Sequence, residues 1–438
     1  MVTESSFSKT LIRNNQISKF LFVMTLKNYL YRIFLISFFV CSFSFYSNAS
    51  DIIVDDIVYR ILSESEATVE VAYCTNSSLQ EIDVPETISF NNKIYTVVSI
   101  GRWAFNIWSL ERVELPNSLL KIGDNAFYGC IFPTIEIPES VTYIGQGAFS
   151  HSSLVEIKIP DSVKDLGTEV FRGCPELKQV VLPNSLDLIP KSTFYQCNSL
   201  ENVVIPNSIK YIDIDAFAYC SSLAHLYLPD SVSELTAAFS GSNKLELEVD
   251  EDNPYFCSEG GILFNKVKTT IIAYPSAGKV VTIPDNVETI GRSAFAFNKE
   301  INDVYLPESV VSIEEMAFFE VRNFNRLYCS PHVPPEADRT TFYSDLYYDH
   351  PELLPRYVYV PRQSYSLYLH TYPWSKLNLI PMEFETTEVD TIMSDTEDSV
   401  VVYSIDGVKI LDSSDRSDID SLPAGLYIVN GRKVLIRR

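Results

Sequence analysis

The chain has 438 residues, 46% of them hydrophobic, with 34 Lys and Arg against 57 Asp and Glu for a formal net charge of −23. That apolar content excludes a disordered chain, and the length allows two or three ordinary domains or one long repeat array. So acidic a chain is poorly suited to nucleic acid or an anionic membrane as a partner. The 26 Phe and 26 Tyr favour strands and packed surface over helix.

At the N-terminus, Lys27 and Arg32 precede an apolar run from Ile33 to Phe45, followed by Ser47-Asn48-Ala49. A basic flank, an apolar core and a small-x-small site predict a signal peptide over residues 1–49, with cleavage after Ala49. The run is short of the roughly 20 residues that span a bilayer, so no integral span is expected in the mature chain. Met24 is a candidate for the true start. Removing residues 1–49 takes away five basic residues and one acidic residue and leaves a net charge of −27. Residues 50–81 are expected to form a β-rich N-terminal cap.

One stretch then recurs. LPNSLLKIGDNAFYGC (115–130) is followed in register by IPESVTYIGQGAFSHS, IPDSVKDLGTEVFRGC, LPNSLDLIPKSTFYQC, IPNSIKYIDIDAFAYC and LPDSVSELTAAFSGS. After an interruption come IPDNVETIGRSAFAFN and LPESVVSIEEMAFFEV. The aligned prolines (Pro116, Pro138, Pro160, Pro183, Pro206, Pro229, then Pro284 and Pro307) are 22 or 23 residues apart within each block. The aligned phenylalanines run from Phe105 through Phe239, then Phe295 and Phe318. Such a period predicts a solenoid, because one turn cannot bury its apolar face alone and stacked turns can.

Each unit has a physical reading. In LERVELP, Val113 and Leu115 alternate with Arg112 and Glu114, which is strand periodicity. Pro116 ends the strand, having no N–H to donate. The Ser two residues on (Ser118, Ser140, Ser162, Ser185, Ser208, Ser231, Ser309, with Asn286 as substitute) suits a turn whose backbone its side chain satisfies. Leu119 and Ile122 point inward, and a tight turn buries Ala126 and Phe127.

The last slot of the unit holds Trp108, Cys130, Ser152, Cys174, Cys197, Cys220, Ser242, Asn298 and Val321. A nucleophile does not recur at every turn or exchange with Trp and Val, so Cys here reads as a small buried filler. Cys174, Cys197 and Cys220 stack closely enough to raise a disulfide, but their parallel side-chain directions oppose one. No CxxC, HExxH, GxSxG, P-loop or GxGxxG occurs, so no catalytic, cofactor or metal site is expected. VDEDNP (249–254) has three successive acids but lacks the oxygen spacing of a calcium loop, and reads as a solvated turn.

The repeated (I/L)-P-x-S-V-x-x-I-G-x-x-A-F-x-x-C resembles the BspA-like leucine-rich-repeat surface proteins of the Bacteroidetes type. VPETISFNNKIYTVVSIGRWAF is similar to the hairpin that precedes the family's first Ala-Phe, and VDEDNPYFCSEGGILFNKVKTTIIAYP to its inserted hairpin. YVYVPRQSYSLYLHTYPWSKLNLI is similar to its terminal unit. The resemblance implies an α/β solenoid of 22–23-residue leucine-rich repeats over 82–381, with short parallel strands and β-rich end caps. The inserted hairpin falls at about 248–280 and the terminal unit at 330–381. It also implies adhesion, through host extracellular or microbial surface proteins or glycans.

Residues 382–399 read as an acidic linker, since MEFETTEVDTIMSDTEDS has seven acids and no base. Residues 400–438 follow as a small β module with hairpin signals at Asp406-Gly407 and Asn430-Gly431. Val402-Tyr403, Gly407, Leu422-Pro423-Ala424-Gly425-Leu426-Tyr427 and Arg432-Lys433 are similar to the C-terminal sorting domain of type IX secretion. With the signal peptide, that implies export to the outer surface of a Gram-negative cell or beyond it.

A binding row is expected on the strands. The residue two before each aligned proline should point outward: Glu114, Glu136, Lys158, Val181, Val204, Tyr227, then Thr282 and Tyr305, continuing to Tyr328 and Tyr359. The row drifts from charge to aromatic, and Val181, Val204, Tyr227, Tyr305, Tyr328 and Tyr359 are the candidate ligand-contact strip. A surface hydrolase acting on glycans or peptides and a self-assembling coat protein are the alternative functions.

Overall fold

The computed structural model describes residues 51–342, 354–384, 400–404, 409–413, 425–429 and 432–436. The expected signal peptide and residues 385–399 of the expected linker lie outside the described residues, as do the hairpin signals at Asp406-Gly407 and Asn430-Gly431.

Each turn of the solenoid has three sides. The first side carries the alternating strands, which stack in parallel in several sheets: Glu81–Asp83 with Arg112–Glu114, then Glu156–Lys158, Gln179–Val181 and Asn202–Val204, then His225–Leu228 with Glu246–Val249. After the interruption come Val280–Thr282, Asp303–Leu306, Arg326–Cys329, Tyr357–Pro361 and Leu379–Met382. The second side consists of two-residue parallel strands such as Lys121–Ile122, Tyr143–Ile144 and Asp165–Leu166, which bring Leu119 and Ile122 into the core. The third side is the turn around each Phe.

That third side is where the expected α/β label fails. Among the described residues the only α-helix is Tyr365–His370, in the terminal unit. In place of helices, the turns form a ladder of their own. The N–H groups of Asn125, Phe127 and Gly129 donate to the carbonyls of Gln146, Ala148 and Ser150 in the next turn, at 2.8, 2.8 and 3.0 Å. Alternating left- and right-handed residues direct these amides along the solenoid axis. From Phe127 through Phe239, and again at Phe295 and Phe318, the residues two before and two after the Phe take positive φ: 52° at Asn125 and 73° at Gly129, 61° at Glu169 and 69° at Gly173, 58° at Asp215 and 59° at Tyr219. A helix cannot form through two left-handed residues per turn.

The core is a column of rings. Phe105, Phe127, Phe149, Phe171, Phe194, Phe217 and Phe239 stack with centroids 5.2–6.0 Å apart and planes within 24° of parallel. Phe295, Phe318 and Phe342 form a second column at 4.9 and 5.7 Å. Tyr274 leads into it, 5.5 Å from Phe295, and Trp374 closes it edge-on, 5.6 Å from Phe342.

Two slots do more than expected. The hydroxyls of Ser118, Ser140, Ser185, Ser231 and Ser309 bond between turns, not within their own, while those of Ser162 and Ser208 are buried without a partner. Ser118 donates to Val97 O at 2.7 Å, Ser140 to Leu119 O at 2.6 Å, Ser231 to Ile209 O at 2.7 Å and Ser309 to Val287 O at 2.6 Å, and Asn286 Nδ2 donates to Lys268 O at 2.7 Å. The Cys slot behaves likewise. The thiols of Cys130, Cys174, Cys197 and Cys220 donate to the carbonyls of Phe105, Phe149, Phe171 and Phe194 at 3.0–3.2 Å, and Ser242 Oγ donates to Phe217 O at 2.6 Å. Each is a buried small donor satisfying a carbonyl one turn back. The seven cysteines of the described residues are free.

At the N-terminal end, Ile57–Ser63 and Thr68–Cys74 pair antiparallel, and Thr68–Cys74 runs parallel to Lys93–Ile100. Lys93–Ile100 in turn pairs with Lys121–Ile122, so this end sheet continues the second side of the solenoid. The interruption is an antiparallel meander, Phe256–Glu259, Ile262–Asn265 and Thr270–Ala273. It is anchored by Asn253, which is fully buried. Asn253 Nδ2 donates to Pro229 O and Val232 O, and its Oδ1 accepts from the N–H groups of Tyr255 and Phe256. The expected solvated turn at 249–254 therefore ends in a core staple. Near the C-terminus, Lys409–Ser413, Val400–Ser404, Gly425–Val429 and Arg432–Ile436 form a four-stranded antiparallel sheet in that order.

Candidate binding face

Register places the expected row. Lys158, Val181 and Val204 are paired across neighbouring strands, Tyr227 is paired with Glu248, and Thr282, Tyr305, Tyr328, Tyr359 and Ile380 are paired in sequence. All lie on the outer face of the first side, because Val180, Val203, Leu226, Val304, Leu327 and Val358 between them fill the core.

The two halves of the row differ. In the front half, Val181, Val204 and Tyr227 are 43%, 78% and 42% exposed. The Tyr227 hydroxyl donates to Asp250 Oδ2, which pushes the phenol up to about 12 and holds the Asp250 carboxyl below its usual range. Beside Tyr227, His225 Nε2 lies 2.9 Å from Glu248 Oε2.

In the back half, Tyr305 and Tyr328 are 8% and 1% exposed, against the expectation that they face solvent. Their rings stack 4.4 Å apart with planes 1° from parallel, and Tyr359 stacks on Tyr328 at 4.8 Å. Met382 and Phe384 pack over them. The Tyr328 hydroxyl is buried without a hydrogen-bond partner, and burial drives its pKa upward. Next to this stack, Arg326 forms a bidentate pair with Asp303, its Nε 2.9 Å from Oδ1 and its terminal nitrogen 2.6 Å from Oδ2, with little exposure on either side. The structure thus brings Tyr305, Tyr328 and Tyr359 together as a covered stack and leaves Val181, Val204 and Tyr227 as the open part of the strip.

Among the described residues the histidines do not converge on one another. His151 packs on Tyr128, His225 on Glu248, His332 beside Gln363 and His370 on Ser366 O, in four separate places; His350 lies outside the described residues. Burial pushes the thiols of Cys130 and Cys174 up to about 12 and about 11, the reverse of an activated nucleophile. Among the described residues no group of three His, Cys, Asp or Glu side chains is placed to hold a metal ion. No helix among them is long and apolar enough to cross a membrane.

A β-solenoid with an open strand face and a hydrogen-bonded turn face defines the class: a leucine-rich-repeat protein. A family profile described as the BspA type leucine rich repeat region matches residues 70–153, 120–246 and 274–345 in six copies, and the chain belongs to that family. Among solved structures, a leucine rich cell surface protein of Faecalibacterium prausnitzii A2-165 is 20% identical, with a TM-score of 0.51 over 80% of this chain and 99% of that one. A leucine-rich repeat protein of Bacteroides ovatus is 21% identical, with a TM-score of 0.40 over 76% of this chain and 100% of that one. The pneumococcal vaccine antigen PcpA is 19% identical, with a TM-score of 0.45 over 76% and 99%. No curated protein matches the chain.

Proposed function

We propose that this chain is an exported binding or adhesion protein, at the cell surface or secreted, whose outer strand face holds a host or microbial macromolecule without catalysis. The observation that carries the reading is the open row Val181, Val204 and Tyr227, apolar and aromatic side chains held outward at strand spacing by a rigid stack of turns. The relation to a protein described as a cell surface protein supports the location. The C-terminal four-stranded sheet serves, in this reading, as the sorting module for type IX export.

The test starts with capture of partners from host matrix and mucus proteins by the full chain. Val204→Ser combined with Tyr227→Ser should weaken the captured interaction while leaving the unfolding midpoint in place. Unchanged affinity overturns the assignment to this face. Reproducible turnover of glycan or peptide substrates would overturn the non-catalytic part.

A further inference from the structure

In the back half, the residue just before each strand of the first side forms a row of its own. Across four successive turns it is Lys279, Asn302, Asn325 and Arg356, in register. The backbone locks the row. Asn302 N–H donates to Lys279 O at 2.8 Å, Asn325 N–H to Asn302 O at 2.8 Å and Tyr357 N–H to Asn325 O at 2.9 Å. Two long cationic side chains therefore stand about 14 Å apart at strand spacing, with two short amides between them. The hollow between the long ends is a cleft of about 460 Å³.

Glu300 and Asn323, each two residues before an Asn of the row, complete its lining. This wall is held from inside. Asn298 is 1% exposed, its Nδ2 donates to Ser276 O at 3.2 Å, and its Oδ1 accepts from the N–H groups of Glu300 and Ile301 at 2.9 and 3.0 Å. Asn323 Nδ2 donates to Lys299 O. None of the lining side chains belongs to the core: Lys279, Glu300, Asn323 and Arg356 are exposed, and Asn302 and Asn325 half-buried.

The polar groups of the cleft are largely unused. Among the described residues Lys279, Glu300 and Arg356 enter no ion pair, in a chain with 57 acids. The side-chain amides of Asn302 and Asn325 bond to no protein group, and burial of Asn302 Oδ1 leaves its Nδ2 for the cleft. An ammonium, a guanidinium and two amides offer donors, while Glu300 and Asn323 Oδ1 offer acceptors that need donors in return. A peptide carboxylate supplies acceptors only, and an apolar side chain finds no apolar lining. A sugar bearing a carboxylate supplies both kinds of group.

We propose that this cleft binds a carboxylate-bearing sugar of a glycan chain. Its carboxylate meets Lys279 or Arg356, and its hydroxyls meet the Asn302 and Asn325 amides, Glu300 and Asn323. The site is separate from the open row Val181, Val204 and Tyr227, and goes beyond the reading of that row.

The probe is a fluorescently labelled hexasaccharide of alternating glucuronic acid and N-acetylglucosamine, titrated with the full chain and read by anisotropy. Saturable binding is expected. It should weaken at least about tenfold in Lys279→Gln with Arg356→Gln, and also when salt is raised from about 0.05 to about 0.5 M. Asn325→Asp, which replaces a donor by an anion of the same shape, should weaken it as well. Lys164→Gln with Lys178→Gln, cations of the front half, should leave it unchanged. An N-acetylglucosamine hexamer and an oligo-glutamate peptide should not bind. Absence of saturable binding, or binding indifferent to the Lys279 and Arg356 pair, overturns the site. Equal binding of oligo-glutamate overturns the sugar, and tighter binding of a sulfated chain lacking carboxylates overturns the carboxylate. Val204→Ser with Tyr227→Ser should not affect the sugar, so this site and the open row fail independently.

Discussion

The front and back halves of the outer face share a slot, a register and a residue preference, yet one half is open and the other closed. Val181, Val204 and Tyr227 stand in solvent, whereas Tyr305 and Tyr328 are buried under Met382 and Phe384. The difference comes from the chain beyond the strands. Among the described residues nothing packs over the front half, while Met382 and Phe384, at the end of the terminal unit, pack on the back half. A solenoid slot therefore specifies direction, and exposure depends on chain far away in sequence.

The largest test of this contrast is Tyr328→Ala, which removes the middle ring of the covered stack and should cost about 3–5 kcal/mol. Val204→Ser should stay within about 0.5 kcal/mol. Similar losses in urea unfolding would break the distinction. Tyr328→Phe sharpens it, because the hydroxyl is buried without a partner and its removal should be neutral or stabilising.

Charge pairs should separate in the same way. Asp303→Ala removes the bidentate carboxylate from the little-exposed Arg326 and should cost about 3 kcal/mol. Asp83→Ala removes one exposed partner of Arg112, which also pairs with Glu81 and Glu114, and should cost no more than about 1 kcal/mol. Smaller still, Phe384→Ala should cost about 1–2 kcal/mol and raise binding of a hydrophobic dye as the tyrosine stack opens. No rise in dye binding would show that Phe384 is not the cover.

The core should show no such contrast, which makes the thiols a control. Burial pushes both Cys130 in the front half and Cys329 in the back half up to about 12. Both should resist alkylation near pH 8. Because each folded thiol binds its proton more tightly than the unfolded one, stability should be level below about pH 8.5 and fall as pH rises toward the folded value. Rapid labelling of either thiol in the native chain, or a stability that rises through that window, would contradict the shared core.

Much of this was legible from spacing alone. The Phe column follows from one apolar ring every 22 or 23 residues, and the strand direction from Val113 alternating with Arg112 and Glu114. What spacing does not carry is the partner of each group. Ser118 and Cys130 looked like local turn-makers and fillers, whereas both donate to the previous turn. Tyr274 and Phe342 are unmarked in the sequence because neither follows an (I/L)-P-x-S start. The left-handed residues that exclude helices are concealed because glycine marks few of them; Glu169, Asp215 and Tyr219 adopt positive φ without advertising it. Nothing near Tyr305 or Tyr328 distinguishes them from Tyr227, so their burial could not be seen from their own repeats.

The inserted meander has a further consequence. Leu263 faces the ring column before it, while Ile262 and Phe264 on the same strand face the column after it. One strand thus acts as a shared wall between two cores. A chain of this kind, tethered at one end and pulled at the other, would not yield like a uniform spring. It would lengthen in two separate rips, one for each side of the wall, and a single-molecule stretching trace with Ile262→Ala should show the back segment giving way at lower force.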